Sequence, residues 1–302
     1  MSCLVWNCRG AGKPATVREL RDLTRQLAPS IVCIVETQIE GSRVENLVGT
    51  LGYDKSFAVS SCGRSGGLGI FWNEEIKLEV IGYSEYHIDI AVEELVNIPT
   101  RITFIYGEAQ VTERYKTWDL LRGITGDNTQ PWVVMGDFNE VLLQSEHDGV
   151  GNRSQAQMDS FRDALDTCGL TDIGYKGRNW TFENKVAGGT HTRVRLDRCV
   201  ANMAWCTAFP NAITEHREAA SSDHIPIFLD VGGVHACRRD PHTFKYELCW
   251  ERDPALAGVV QAAWARSPTD SVAGMRDKLQ ALATDLSQWD RQHFGNVRAQ
   301  IK

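Results

Sequence analysis

Several apolar runs of this 302-residue chain are flanked directly by polar residues that suit a cation or a phosphate. These residues are Asn7, Glu36, Tyr106, Asp137, Asn139, Asp197, Asp223 and His224. Carboxylate and amide oxygens hold Mg²⁺, and a histidine stabilises charge that develops on a phosphoryl oxygen. If the runs are strands of one sandwich, their ends meet at one rim, where ligands generally bind. The joint pattern therefore predicts one site for a hard cation and a phosphate.

Each of these signals has a plainer interpretation when it stands alone. A Gly-Asp step after a strand is most often a turn, as at Gly136-Asp137. Asp197 lies between Arg195 and Arg198, which is most simply a surface ion pair. A Ser-Asp-His tripeptide is often a loop or a helix cap. The prediction of a site depends on all the positions together.

The elements that would position these residues alternate along the first two thirds of the chain. Strands are predicted at Cys3–Trp6, Ile31–Val35, Phe57–Val59, Leu68–Trp72, Ile76–Ile81, Ile88–Val92, Ile102–Tyr106, Trp132–Met135 and Ile225–Val231. Helices are predicted from Pro14 to Leu27, around Val44–Leu51, over Tyr115–Leu121 and along Met158–Cys168. No Gly-x-Gly-x-x-Gly turn follows a predicted strand, so we expect a layered α/β sandwich and not a dinucleotide-binding fold.

A change of composition at Gly232-Gly233 predicts a boundary between a domain of residues 1–231 and a helical tail of residues 232–302. In the tail, apolar residues recur at intervals of three and four; they are Val272, Met275, Leu279, Leu282, Leu286 and Trp289. This seam predicts one long helix. The helix either packs on a partner, which includes a second copy of the chain, or folds back on its own domain.

Composition and charge exclude several classes of protein. Hydrophobic residues make up 42% and charged residues 24%, as in an ordinary globular protein, and no apolar run approaches the roughly 18 residues that cross a bilayer. Met1–Asn7 lacks a basic n-region, and the nine cysteines include no Cys-x-x-Cys. We therefore expect a nuclear or cytoplasmic protein that is neither secreted nor inserted in a membrane.

The charge is divided unevenly along the chain. Residues 1–231 hold 22 basic and 31 acidic residues, a net charge of −9, whereas residues 232–302 hold 10 basic and 8 acidic residues, a net charge of +2. This is not the charge of a general nucleic-acid binder. Any chemistry on a polyanion would therefore depend on a local site with a cation.

Several motifs resemble those of the endonuclease/exonuclease/phosphatase superfamily, which has the fold of abasic-site endonucleases and DNase I. They are Trp6-Asn7-Cys8-Arg9-Gly10, Val35-Glu36-Thr37-Gln38, Tyr106-Gly107, Gly136-Asp137-Phe138-Asn139-Glu140, Arg195-Leu196-Asp197-Arg198 and Ser222-Asp223-His224-Ile225-Pro226. The resemblance implies a four-layer α/β/β/α sandwich that is DNase I-like. It also implies hydrolysis of DNA phosphodiester bonds with Mg²⁺, or Mn²⁺ in its place, leaving a 3′-hydroxyl.

The resemblance further implies a role for each polar residue. Glu36 is the principal metal ligand, Asn7 assists it, and Asp223 completes the acidic cluster near the metal. Asp137 orients or deprotonates the attacking water, and Asn139 positions that water and the phosphate. His224 and Tyr106 contact the phosphate. Asp197 pairs with His224. Arg195 and Trp180 are expected to contact the substrate.

Other segments are similar to the endonuclease domain of plant non-LTR (LINE-type) retrotransposons. They are Trp118–Leu121, Glu146–Gly149, Gln157–Arg162, Cys168–Asp172 and the tail segment Trp289–Asn296, which ends in Phe294-Gly295-Asn296. No Tyr-x-Asp-Asp polymerase motif and no zinc knuckle is present. We therefore expect a retrotransposon-derived endonuclease truncated before any polymerase domain. Two departures from the family pattern are Phe182, where a tryptophan is usual, and Glu108-Ala109, where a proline is often near.

Two alternatives to a DNA endonuclease stay open. A phosphatase on the same fold is one, although inositol 5-phosphatases typically follow the Gly-Asp-x-Asn motif with Tyr-Arg, whereas Glu140-Val141 stands here. A catalytically inactive retrotransposon remnant that acts as a binding domain is the other. The presence of every expected polar group argues against the loss of catalysis.

Overall fold

The computed structural model describes residues 1–63, 65–95, 98–126, 129–185, 191–232, 250, 253–265 and 272–293. The chain divides into two compact units, Met1–His235 and Ala236–Lys302. No helix among the described residues is long and apolar enough to cross a membrane.

In chain order, the strands are β1 (Ser2–Asn7), β2 (Ile31–Val35), β3 (Lys55–Val59), β4 (Leu68–Trp72), β5 (Leu78–Ser84), β6 (His87–Leu95), β7 (Ile98–Tyr106), β8 (Trp132–Asp137), β9 (His147–Asp148), β10 (Leu170–Asp172), β11 (Phe182–Lys185), β12 (His191–Val194), β13 (Asp197–Asn202), β14 (Ile213–His216) and β15 (Ile227–Asp230). Within the described ranges they form a six-stranded sheet in the order β14-β15-β1-β2-β4-β3 and a second in the order β10-β13-β8-β7-β6-β5. A third, three-stranded sheet has the order β11-β12-β9.

The helices of the first unit are α1 (Pro14–Leu27), α2 (Gly41–Glu45), α3 (Val48–Leu51), α4 (Tyr115–Ile124), α5 (Gln155–Thr167) and α6 (Met203–Ala208). Helix α1 begins at a proline, whose missing N–H costs nothing in the first turn, and ends where Ala28 adopts a left-handed conformation. The predicted helix around Val44–Leu51 is two short helices. The predicted strand Ile76–Ile81 lies at Leu78–Ser84 as β5.

Alternation of side chains along the central strands builds four layers. Cys3 and Val5 of β1 belong to the core between the two large sheets, together with Phe104 of β7 and Met135 of β8. Leu4 and Trp6 belong to a second core under α1, and Ile105 and Val134 to a third under α4 and α5. Each fully buried side chain of this size stabilises the fold by about 1.5–3 kcal/mol. The predicted four-layer α/β/β/α, DNase I-like sandwich is confirmed.

Strand register brings the polar residues at the strand ends together. β1 and β2 are parallel, with Asn7 opposite Val35, so Glu36 follows directly beside Asn7. β7 and β8 are also parallel, with Tyr106 opposite Asp137. β13 runs antiparallel to β8, with Asp197 opposite Asp137. Since carboxyl ends of parallel strands share one edge, these residues lie at one rim of the sandwich.

The second unit contains α7 (Ala255–Ala265) and α8 (Val272–His293). The predicted long helix of the tail is therefore present. Trp250, Leu286 and Trp289 are buried in an apolar cluster with residues of α7 and with Leu282 of the seam. Met275 and Leu279 of the same seam are 40% and 50% exposed. The Phe294-Gly295-Asn296 motif lies outside the described residues.

Candidate active site

The structure brings eight of the predicted residues to the rim of the sandwich. They are Asn7, Glu36, Tyr106, Asp137, Asn139, Asp197, Asp223 and His224. Most are buried or half-buried, so their charges interact outside bulk water, where electrostatic effects are larger.

Asn7 joins two carboxylates of the site. It ends β1, and its Nδ2 donates hydrogen bonds to Glu36 Oε2 at 3.0 Å and to Asp137 Oδ2 at 2.9 Å. Its Oδ1 accepts from the backbone N–H of Arg9 at 3.2 Å. In this arrangement Asn7 fixes the relative position of Glu36 and Asp137, and its assistance as a metal ligand stays a prediction.

Glu36 lies in a sharply turned segment after β2. Its φ is 55°, a left-handed conformation that a residue with a Cβ rarely adopts. The next two N–H groups, of Thr37 and Gln38, donate to the carbonyls of Gly67 and Gly66. The Gln38 side chain donates to Glu36 Oε1 at 2.9 Å. These bonds hold the strained turn and aim the Glu36 carboxylate at Asn7.

Asp137 is buried at the end of β8 and accepts two hydrogen bonds. Besides Asn7, the backbone N–H of Asn139 donates to Asp137 Oδ1 at 2.8 Å. Asn139 has a φ of 54°, and its Nδ2 donates to the carbonyl of Gly107 at 2.7 Å. Burial raises the pKa of Asp137 to about 6, against the effect of the neighbouring His224. A carboxylate of raised pKa, held on two sides, can orient water and accept its proton.

Asp197 and His224 form a buried pair. Asp197 Oδ2 lies 2.8 Å from His224 Nδ1, and His224 Nε2 lies 3.7 Å from Asp137 Oδ2. Burial alone would lower the pKa of His224, but Asp197 and Asp137 raise it to about 9. The imidazole therefore carries a proton at neutral pH and presents a positive charge to the site.

Thr181 and Phe182 support this pair, and sequence reasoning did not single out Thr181. The Thr181 Oγ1 accepts from the N–H groups of Leu196 and Asp197 at 3.0 Å and 2.9 Å. Its carbonyl accepts from the N–H of Ile225 at 2.8 Å. The Phe182 ring contacts the His224 ring at a centroid distance of 5.0 Å. The segment thereby ties the strand of Asp197 to the loop of His224.

Asp223 contacts Arg9, whereas His224, the next residue in sequence, contacts Asp197. Its Oδ2 forms an ion pair with Nη1 of Arg9, whose Nε lies 3.8 Å from Glu36 Oε1. Its Oδ1 is buried and has no hydrogen-bond partner among the residues that the structure describes. One carboxylate oxygen of Asp223 is therefore available for a cation.

Tyr106 ends β7 and is buried beside the acidic groups. Burial, together with the charges of Glu36 and Asp137, raises the pKa of its hydroxyl well above the ordinary value. The phenol therefore stays protonated and can donate a hydrogen bond to a phosphate oxygen.

The structure does not bring Arg195 into this set. Its guanidinium is buried, donates to Glu146 Oε1 at 2.9 Å and Asp172 Oδ1 at 3.0 Å, and lies 4.2 Å from the centre of the Tyr175 ring. Arg198 binds the same two carboxylates. Asp197, between the two arginines in sequence, instead pairs with His224. This buried ion cluster was missed because its acidic members are distant in sequence.

Trp180 lies at the margin of the set, two residues before Phe182. The guanidinium of Arg193 stacks over its ring, 4.4 Å from the ring centre. The ring is half-buried. Contact of Trp180 or Arg195 with substrate stays a prediction.

The residues present fit a divalent cation. Asp137, Asp197 and His224 place possible ligand atoms within 4.8 Å of one another, but the strongest pair among them is already hydrogen-bonded. Glu36 and Asp223 offer only oxygen, which Mg²⁺ prefers, and one Asp223 oxygen has no partner within the described part of the chain. The Arg9 guanidinium lies between these two carboxylates as a cation already in place.

Comparison with known proteins identifies the family of this chain. Residues 4–224 match the Endonuclease/Exonuclease/phosphatase family, and the chain belongs to that family. Its members are hydrolytic nucleases and phosphatases that depend on a divalent metal. No match was found among curated proteins.

Solved structures share the fold at low sequence identity. The AP endonuclease LMAP from Leishmania major is 14% identical with a TM-score of 0.60, covering 76% of this chain and 86% of that chain. The endonuclease domain of TRAS1, a telomere-specific non-LTR retrotransposon, is 14% identical with a TM-score of 0.57, covering 76% and 97%. The 3′ phosphatase NExo from Neisseria is 16% identical with a TM-score of 0.58, covering 76% and 99%.

Proposed function

We propose that this chain is a Mg²⁺-dependent DNA endonuclease that nicks one strand and leaves a 3′-hydroxyl. One observation carries the proposal: a continuous series of contacts from Glu36 through Asn7 and Asp137 to His224 and Asp197. The series connects Glu36, a carboxylate suited to a cation, with the imidazolium of His224. A phosphodiester needs both kinds of group, because its negative charge repels hydroxide.

Each residue of the series has a distinct task in hydrolysis. Asp137 orients the attacking water and takes its proton, while Asn7 and the Asn139 N–H hold its carboxylate still. His224 donates a charged hydrogen bond from Nε2 to a phosphoryl oxygen, and Tyr106 donates a neutral one. Glu36 and Asp223 would hold the divalent cation. When bound, that cation neutralises the phosphate and stabilises the leaving oxygen.

DNA is the proposed substrate although the first 231 residues carry a net charge of −9. Part of that negative charge belongs to the carboxylates that bind the cation in this proposal. DNA binding is therefore expected to be weak, sensitive to salt and dominated by contacts with the backbone. By the same proposal the protein acts in the nucleus or the cytoplasm and derives from a plant LINE-type retrotransposon. The retrotransposon motifs in Trp118–Leu121 and Cys168–Asp172 support that origin.

A phosphatase acting on a DNA 3′-phosphate is the second candidate. The similarity to a Neisseria 3′ phosphatase supports it, and the same imidazolium and carboxylate would serve a phosphomonoester. The two activities differ in whether an internal bond of the DNA is cut.

A plasmid-nicking assay tests the proposal. Purified full-length protein is expected to convert supercoiled plasmid to open circles with Mg²⁺ and to lose this activity with EDTA. The variant Asp137→Ala is expected to be inactive. Asp22→Ala, at an exposed position of α1, is the matched control and is expected to keep the activity. Activity that is equal with EDTA, or absent with every divalent ion, would contradict the mechanism. Release of phosphate from a 3′-phosphorylated hairpin without nicking would favour the phosphatase.

A further inference from the structure

Arg9 has a fixed backbone and a side chain that lies on the acidic edge of the site. Its φ is 46°, in the left-handed region, and its N–H donates to Asn7 Oδ1. Its carbonyl accepts from Lys13 Nζ at 2.8 Å. The side chain itself is 47% exposed. The strained backbone therefore directs the long, partly exposed Arg9 side chain toward the site.

The guanidinium is placed between two carboxylates that belong to different parts of the chain. Nη1 forms an ion pair with Asp223, and Nε lies 3.8 Å from Glu36 Oε1. These are the two carboxylates that the proposed function assigns to the divalent cation. A guanidinium and a divalent cation bound to the same two carboxylates repel each other strongly over a few ångströms. The two cations therefore compete for this pair.

We propose that Arg9 is the resident cation of the Glu36–Asp223 pair, and that the divalent ion exchanges with it. The released guanidinium then binds a phosphate of the DNA strand. The inference rests on the proposed function for its second step only. Half exposure gives the side chain room to leave, and the planar guanidinium fork matches two phosphate oxygens better than a lysine does.

The exchange gives Arg9 two opposite effects, one on the binding of the divalent ion and one on the binding of DNA. Without DNA, Arg9 opposes the binding of the divalent ion, because it neutralises the ligands first. With the ion bound, Arg9 contributes one phosphate contact to DNA affinity. A purely structural ion pair would show neither effect, since its loss would weaken the site without tightening ion binding.

Titration of the full-length protein with Mn²⁺ alone, followed by electron paramagnetic resonance, tests the first step. Arg9→Gln is expected to lower the dissociation constant for Mn²⁺ by about tenfold, the effect of one nearby charge in a partly solvated site. Arg9→Lys, which keeps the charge, is expected to stay near the wild type. Arg18→Gln removes the same charge from an exposed position of α1 and is expected to change nothing. Equal or weaker Mn²⁺ binding by a folded Arg9→Gln variant would overturn the exchange.

Fluorescence anisotropy of a short labelled duplex in Ca²⁺ tests the second step. Arg9→Gln is expected to weaken binding and to reduce the salt slope by about one phosphate contact. An unchanged slope would overturn the phosphate contact while leaving the exchange intact. Since Mn²⁺ binding is measured without DNA, a chain that exchanges Mn²⁺ for Arg9 but fails to nick plasmid would contradict only the proposed function.

Discussion

Asp197 and His224 meet at 2.8 Å, between Oδ2 and Nδ1, with both side chains buried. Asp197 begins β13, whereas His224 lies in the loop before β15, 27 residues further along the chain. Because Nδ1 is occupied by the carboxylate, Nε2 is the nitrogen that remains for Asp137 and for a substrate. The pair therefore fixes both the orientation and the charge of the imidazole.

Removing the charge of Asp197 is expected to slow nicking by about 10²-fold or more. Asp197→Asn keeps the size of the side chain but removes the charge that favours the imidazolium, and loss of an electrostatic stabiliser has an effect of this order. The variant combined with His224→Ala is expected to be little worse than His224→Ala alone, because residues that act as one unit are not additive. Single-turnover rates on a nicking substrate measure this. Losses that multiply fully would show that the two residues act independently.

The titration of His224 gives a second, independent measurement. Its pKa of about 9 lies above the ordinary value of 6.5, so the stabilisation from its charge is complete below pH 6.5 and is lost as the pH rises through about 9. The Cε1–H resonance of His224 in the metal-free protein is expected to titrate at high pH, and Asp197→Asn is expected to lower that midpoint. A midpoint near 6.5 in the wild type would show that the two carboxylates do not hold the proton.

Thr181 is expected to act as a positioning residue for Asp197. Thr181→Val keeps the shape but leaves the buried N–H groups of Leu196 and Asp197 without an acceptor, at about 1–3 kcal/mol each. Thr181→Ser restores the hydroxyl. We expect the valine variant to melt at lower temperature and to show a lowered pKa of His224 by NMR, and the serine variant to recover both. A valine variant that loses stability but keeps the His224 titration would limit Thr181 to a structural role.

The sequence predicted the central strands well because they are buried on both faces. β1, β2 and β8 read as nearly continuous apolar runs, and a polar residue directly after such a run marks the rim. The sequence alone therefore predicts that Asn7, Glu36 and Asp137 belong to one site.

Among the strands that were missed, β13 carries buried charges. β13 contains Asp197 and Arg198, which are tolerated inside only because partners elsewhere in the fold compensate them. Arg198 binds Glu146 and Asp172, which lie 52 and 26 residues away. A local pattern cannot show such partners. The same limit applies to Arg195, for which the sequence predicts a contact with substrate. The motif that contains this arginine does not show which carboxylates it binds.

Gly136 is expected to be indispensable for the site. Its φ is 143°, and a Cβ at this position would lie 2.1 Å from the carbonyl oxygen of Ile105, inside the sheet. Gly136→Ala therefore forces β7 and β8 apart beside Asp137, and we expect a loss of about 3 kcal/mol or more in the free energy of unfolding. Chemical denaturation measures it. Gly123→Ala, in α4 with open space around the new Cβ, is expected to be neutral or to stabilise by about 0.5–1 kcal/mol. Equal effects at both positions would contradict the steric argument.

Residues 1–231 are expected to fold and to nick DNA without the tail. Every proposed site residue precedes Val231, whose N–H donates to the carbonyl of Met1 at 3.1 Å and closes the first sheet. The apolar cluster of Trp250, Leu286 and Trp289 is made of residues of the second unit. Exposed Met275 and Leu279 leave part of the seam for self-association. We therefore expect the chain of residues 1–231 to keep the nicking rate per molecule and to elute as a more uniform monomer in size-exclusion chromatography than the full chain. If residues 1–231 are insoluble or inactive while the full chain nicks DNA, the tail belongs to the catalytic domain and the boundary at Val231 is wrong.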